Sequence, residues 1–157
     1  MMKIQKIKVY GVSILIALAV GVIGGIVTRS GLANYEQLIK PALTPPSAVF
    51  PIVWSILYVL MGISAAQIYL SSNALRNTAL SIYSIQLAAN FIWSFLFFGL
   101  GQSFLAFLWL ILLWVLIFIM IIRFYQIKPS AGILQIPYLV WVTFAGYLNL
   151  AIWLLNK

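Results

Sequence analysis

Cysteine and histidine are both absent from the 157 residues, and Glu36 is the only acidic residue. Without cysteine the chain has no disulfide, no thiol nucleophile and no iron–sulfur site. Without histidine it lacks the most common zinc ligand, the usual haem ligand and the usual general base. The sequence therefore excludes the residue sets on which conventional hydrolytic or metal-assisted catalysis depends, and we expect no metal site and no cofactor.

Charged residues of either sign are also scarce, at 6% of the chain against about 25% in a soluble domain. Hydrophobic residues make up 65% of the sequence, and the mean hydropathy is +1.14. A soluble domain of this size cannot hide so much apolar surface. The composition therefore predicts a multi-pass integral membrane protein with a single domain over residues 1–157.

Long apolar segments predict an all-α membrane protein built as a five-transmembrane-helix bundle. The first segment exceeds the roughly 7–15 apolar residues of a signal peptide, so we expect it to be retained as a membrane helix. The stretch over residues 28–46 is polar enough to predict a loop, and a loop of this length is often a lid. The predicted helices cover approximately residues 9–27, 47–70, 79–100, 104–124 and 134–155.

The nine basic residues fall at the ends of the predicted helices and in their connections. They therefore indicate topology and contacts with lipid phosphates, and we expect a lipid bilayer and no nucleic acid among the partners. Six of them share the N-terminal side and three lie opposite, which predicts a cytoplasmic N-terminus in a bacterial-type cell membrane. The six are Lys3, Lys6, Lys8, Arg76, Arg123 and Lys128, and the three are Arg29, Lys40 and Lys157.

Aromatic and amide side chains share helix faces inside three of the predicted spans. Unpaired polar groups in hydrocarbon cost several kcal/mol, so the amides should face protein. Indole rings add stacking surface and an N–H donor, and together these groups predict a pocket for a flat, apolar ligand. The alternative is that the tryptophans anchor the helices at the membrane interface. The faces comprise Trp54 and Tyr58; Gln86, Asn90, Trp93 and Phe97; and Trp141, Ala145, Leu148 and Asn149.

Small residues in the first helix, Gly21 and Gly25, stand in a G-x-x-x-G frame. This spacing lets a second backbone approach closely. It favours tight packing inside the monomer, with dimerisation or a smooth wall for a flat ligand as alternatives.

Several motifs resemble the TspO/MBR family of tryptophan-rich sensory proteins and translocator proteins, the latter also called peripheral benzodiazepine receptors. The resemblance extends over nearly the whole chain. One departure is Leu43, which stands where the family usually has a tryptophan. The matching motifs are Pro45-Pro46, Trp54, Gln86-x-x-x-Asn90-x-x-Trp93-Ser94, Phe97-Phe98, Pro137-Tyr138-x-x-Trp141, Phe144-Ala145-x-x-Leu148-Asn149 and Leu155-Asn156.

The resemblance implies a five-helix bundle that binds porphyrins, sterols and synthetic benzodiazepine-type ligands, and that forms a homodimer. We predict a porphyrin or similar apolar molecule as the partner, bound as a ligand and not as a cofactor. Without histidine or cysteine, metal-free porphyrin is favoured over haem. The expected ligand-binding residues are Pro45, Pro46, Trp54, Tyr58, Gln86, Asn90, Trp93, Phe97, Trp141, Phe144, Ala145 and Leu148.

Three functions follow from these expectations. The first is a binding protein or sensor for tetrapyrroles. The second is a light-dependent porphyrin-degrading enzyme, with Trp141 or Trp93 as the residue that donates an electron or hydrogen to the excited ligand. The third is a transporter of porphyrin or sterol-like molecules, which ranks last because the predicted spans hold no ionisable group that would couple transport to an ion.

Overall fold

A computed structural model describes residues 2–157, and the secondary structure in that range is entirely helical. Five segments are long and apolar enough to cross a membrane, so the expected five-helix membrane bundle is confirmed. A π-helical turn, Phe95–Gly99, continues α3, and the short helix α5 leads directly into α6. The helices are α1 (Lys3–Gln37), α2 (Val49–Tyr69), α3 (Arg76–Ser94), α4 (Ser103–Ile127), α5 (Pro129–Ile133) and α6 (Ile136–Leu155).

The first helix is much longer than predicted, and it replaces more than half of the predicted lid loop over residues 28–46. It extends to Gln37, so the connection to α2 is reduced to residues 38–48. Thr28 and Gly31 weaken the helical signal in the sequence, but packing overrides it. Gly31 lies against the backbone carbonyl of Phe98, and Tyr35 is buried one turn later. At 35 residues α1 is about 52 Å long, which exceeds a bilayer of about 40–45 Å with its headgroups.

The other boundaries lie close to the predicted ones except at the start of the last span. That span begins at Pro129 instead of residue 134, with α5 as a separate first turn. Proline is favoured at a helix start because its missing N–H would have no partner there. Ser64 Oγ of α2 donates to the carbonyl of Ala131 at 3.0 Å, which fixes α5 against α2.

Glycines bring α1 and α2 into close antiparallel contact. A Cβ added to Gly62 would lie 2.5 Å from Ile14 Cα, and one added to Gly21 would lie 2.6 Å from the ring of Tyr58. A Cβ added to Gly25 would meet no atom within 4 Å. The G-x-x-x-G frame therefore packs α1 inside the monomer through Gly21 alone, while Gly25 faces open space.

The π-helical turn changes which side chains α3 presents at its C-terminal end. Leu100 N donates to the carbonyl of Phe95 at 2.9 Å, five residues earlier. The wider turn places the rings of Phe97 and Phe98 together, with centroids 4.8 Å apart. Such turns recur at functional sites, and this one borders the cavity described below.

Candidate functional site

A cavity of about 510 Å³ lies among α1, α2, the C-terminal part of α3 and α6. Its volume falls within the roughly 300–1,000 Å³ of small-molecule sites, which commonly lie between the helices of bundles. Apolar and aromatic side chains dominate its walls. The cavity therefore has the size and surface of a binding site for an apolar small molecule.

Aromatic rings from α2 and α3 form one wall of the cavity. The Trp54 ring lies 5.8 Å from that of Tyr58 and 6.3 Å from that of Trp93. Trp93 in turn stacks on Phe97 with centroids 5.8 Å apart and planes 20° from parallel. The pairs Trp54–Tyr58 and Trp93–Phe97 follow from helical i, i+4 spacing, which puts each pair on one face of its helix, while the contact of Trp54 with Trp93 joins α2 to α3. The result is a continuous surface of aromatic rings.

Glycines of α1 form a second wall. Gly21, Gly24 and Gly25 all line the cavity, and they present backbone instead of side chains. Tyr35 and Phe50 lie at the end of the cavity near the α1–α2 connection, with ring centroids 6.4 Å apart. A cavity bounded by aromatic rings and by the bare backbone of glycines suits a flat ligand.

Hydrogen bonds hold four of the polar side chains that line the cavity, those of Thr28, Ser55, Trp93 and Asn149. Trp93 Nε1 donates to Asn149 Oδ1 at 3.0 Å, and Asn149 Nδ2 donates to the carbonyl of Ser103 at 2.7 Å. Thr28 and Ser55 donate to carbonyls of their own helices, at 3.0 and 2.7 Å. Because these donors are already engaged, the cavity presents chiefly apolar surface to a ligand.

A chain of buried hydrogen bonds lies behind the aromatic wall. Tyr58 Oη donates to Asn90 Oδ1 at 3.1 Å, and Asn90 Nδ2 donates to Tyr138 Oη at 2.7 Å. Tyr138 Oη then donates to Gln86 Oε1 at 2.8 Å. The chain joins α2, α3 and α6, engages both polar atoms of the Asn90 amide and fixes the orientation of Tyr58. The amide of Gln86 is engaged only through Oε1, and its Nε2 atom is buried without a partner.

One side of the cavity is open between α1 and α2. The lining residues on that side are exposed, and they include Gly25 and Arg29 of α1 and Pro51 and Ser55 of α2. Arg29 is the one charged residue among those that line the cavity. It places a cationic group at the rim of an otherwise apolar site.

The structure brings together half of the predicted ligand-binding residues. Trp54, Tyr58, Trp93, Phe97, Ala145 and Leu148 line the cavity. The other six lie outside its lining. They are Pro45, Pro46, Gln86, Asn90, Trp141 and Phe144.

Each of these six has a definite place elsewhere. Pro45 and Pro46 belong to the connection that precedes α2, while Gln86 and Asn90 belong to the buried hydrogen-bond chain. Trp141 and Phe144 pack on each other, with ring centroids 5.6 Å apart.

Trp141 lies in a second layer behind the cavity wall. Its ring packs 5.9 Å from that of Phe50, which lines the cavity. Its Nε1 atom is buried without a hydrogen-bond partner. Trp93 is therefore the one of the two predicted redox candidates that borders the cavity.

Several residues that build the site are absent from the predicted set. Tyr35 lies within the predicted loop and Phe50 has no predicted role, yet both line the cavity. Asn149 was placed on the right helix face, but its hydrogen bond to Trp93 depends on tertiary structure. Tyr138 belonged to a recognised motif, and its hydroxyl joins α6 to α3.

Comparison with known proteins gives a consistent result. The sequence model of the TspO/MBR family matches residues 13–154. The chain is 40% identical to protein CrtK of Rhodobacter capsulatus over 126 residues, or 79% of each chain. It is 35% identical to the tryptophan-rich protein TspO of Chlorobaculum tepidum over 156 residues, or 97% of this chain and 98% of that protein.

A mammalian relative is similar over most of its length as well. The chain is 34% identical to the translocator protein of Bos taurus over 141 residues, which cover 87% of this chain and 83% of that protein. The five apolar spans agree with these matches. The protein is an integral membrane protein, and it belongs to the TspO/MBR family.

Proposed function

We propose that this protein binds flat, largely apolar ligands of the tetrapyrrole class, such as protoporphyrin, in the cavity between α1, α2, α3 and α6. One observation carries the proposal. The indoles of Trp54 and Trp93 and the backbone of the α1 glycines line the same cavity of about 510 Å³. Ring faces together with bare backbone complement a planar macrocycle.

The polarity of the cavity supports the same ligand class. The hydrogen-bond donors of Thr28, Ser55, Trp93 and Asn149 are engaged with protein acceptors. A ligand that needed many polar contacts at its centre would leave its own groups unpaired, which is costly in a buried site. A hydrophobic ring system has no such cost.

Arg29 supports the presence of a carboxylate at one edge of the ligand. Its guanidinium stands at the open side of the cavity, where it can pair with a propionate of protoporphyrin. Lys40 is the alternative partner, but its Nζ atom lies over the ring of Tyr35 at 4.8 Å and donates to the carbonyls of Glu36 and Leu38. Arg29 is therefore the better candidate.

The role we favour is that of a sensor or binding protein, and the names of the relatives include both a sensory and a translocator function. We further propose a cytoplasmic N-terminus, based on the six basic residues at that side against three opposite. We also propose that the protein forms a homodimer and that it resides in a cell membrane.

The test is a titration of the purified protein with protoporphyrin, followed by the shift of the porphyrin absorbance band. Trp93→Ala and Trp54→Ala should each weaken binding about tenfold or more, because each removes an aromatic ring of the cavity wall worth at least ~1.4 kcal/mol. Trp114→Ala is the matched control, since Trp114 stacks on Phe118 of α4 away from the cavity. Equal affinity in all three variants, or no saturable binding, would refute the proposal.

A further inference from the structure

We infer, on the basis of the proposed function, that the opening between α1 and α2 admits the ligand sideways from the lipid bilayer, with an anionic edge held at Arg29. The opening is part of the cavity wall. Val22, Gly25 and Arg29 of α1 and Pro51 and Ser55 of α2 both line the cavity and face outward.

The side chains around the opening show that it faces lipid and not water. Val22 and Ile26 of α1 are 63% and 65% exposed, and Ile52 and Ile56 of α2 are 62% and 56% exposed. These residues belong to segments that are long and apolar enough to cross the membrane. Large exposed aliphatic residues on both sides of a gap are the surface that acyl chains solvate.

The register of the two helices places the opening within the membrane span. Gly21 contacts Tyr58, and Ile14 contacts Gly62, so α1 and α2 are antiparallel. Gly25 lies one turn beyond Gly21 and therefore near the level of Trp54, which is one turn before Tyr58. This level is inside α2 and not at its first turn, which begins at Val49.

Arg29 lies at the end of the opening that is nearest to the membrane boundary. It lies one further turn along α1, near the level at which α2 begins, so its charge reaches the membrane boundary. Arginine at such a position extends its charged group toward the headgroups while its stem stays in apolar surroundings. A ligand with carboxylates on one edge would keep that edge at Arg29 while its ring system enters between the helices. The ligand class is thus an amphiphile, flat and apolar on one side and anionic on the other.

Gly25 is the residue at the opening that contributes no side chain to it. A Cβ added there would meet nothing within 4 Å, so a larger side chain at this position starts in open space. Gly11 of the same helix is an equally open position, and it does not line the cavity. Gly25→Phe and Gly11→Phe therefore add the same ring to the same helix, and only the first adds it at the opening.

The experiment measures protoporphyrin binding and release by stopped flow with the protein in lipid nanodiscs. In Gly25→Phe we expect the association and dissociation rates to fall together, each about tenfold, because a blocked route slows both directions. Gly25 also lines the cavity, so the added ring can change the affinity as well. The result that supports the inference is therefore the fall of both rates, and not an unchanged equilibrium dissociation constant. Gly11→Phe should match the unchanged chain in both rates.

Each other outcome has a definite meaning. Rates in Gly25→Phe equal to those in Gly11→Phe overturn the inference, and so does weaker binding with faster release, because the ring would then act on the bound ligand and not on its route. Saturable binding is required first, since its absence in the unchanged chain refutes the proposed function as well. Gly25→Leu provides a smaller obstruction, with an expected intermediate slowing, if the Phe variant does not assemble.

Discussion

Two alanine substitutions in α1, Gly21→Ala and Gly25→Ala, test the geometry of the cavity wall. A Cβ at position 21 would lie 2.6 Å from two ring carbons of Tyr58, against about 3.5–4.0 Å for favourable carbon contacts. Tyr58 cannot move freely, because its hydroxyl is bonded to Asn90 and its ring packs on Trp54. Relief therefore requires a shift of about 1 Å in α1 or in the ring.

The two variants together isolate the energy of this clash. Overpacking typically costs about 1–3 kcal/mol. Alanine also raises helix propensity by about 1 kcal/mol relative to glycine at either position. Since that gain is common to both variants, Gly21→Ala should be about 1–3 kcal/mol less stable than Gly25→Ala.

Reversible unfolding in mixed micelles with increasing SDS, followed by far-ultraviolet circular dichroism, measures this difference. Gly25→Ala should equal or exceed the unchanged chain in its free energy of unfolding, while Gly21→Ala should fall below Gly25→Ala. Gly21→Ala should also weaken protoporphyrin binding, because the displaced Tyr58 ring narrows the cavity. Equal stability of the two variants would refute the close contact of α1 with Tyr58.

Three further substitutions probe the hydrogen bonds. Asn90→Leu removes two interhelical bonds and should lower the free energy of unfolding by about 1–3 kcal/mol in the same SDS assay; stability equal to that of the exposed-site control Asn77→Leu would contradict this. Asn149→Leu releases the indole of Trp93 and should weaken protoporphyrin binding about fivefold by absorbance titration; unchanged affinity would show that the bond does not position the ring. Asn156→Ala removes two bonds to the backbone of Ile39 and should accelerate limited proteolysis in residues 38–48 about fivefold; an unchanged cleavage rate would exclude this role.

The number of spans could be predicted from the sequence because each apolar segment is long enough to cross a bilayer by itself. The end of α1 could not, since Thr28 and Gly31 weaken the local signal, and the packing of Gly31 against Phe98 and the burial of Tyr35 depend on tertiary structure. The π-helical turn Phe95–Gly99 could not be predicted either. Its backbone hydrogen bonds join residues five apart instead of four, and no distinctive residue composition marks that change in the sequence.

The candidate site was predictable where helical spacing decides it. Trp93 and Phe97 are four residues apart, and the same spacing relates Trp54 to Tyr58, so each pair had to share a face. Spacing also put Trp141 on the face of Ala145 and Leu148. It cannot show that Phe50, from another helix, packs against Trp141 and lines the cavity itself. The layer of residues behind the cavity wall depends on contacts between helices, and the periodicity of a single helix does not predict such contacts.

A structure of the protein with protoporphyrin bound tests the central claim most directly. We predict the macrocycle between the rings of Trp54 and Trp93 and the glycines of α1, with a propionate near Arg29. A macrocycle seated on the outer, lipid-facing surface of the bundle, with the cavity between α1, α2, α3 and α6 unused, would contradict the account.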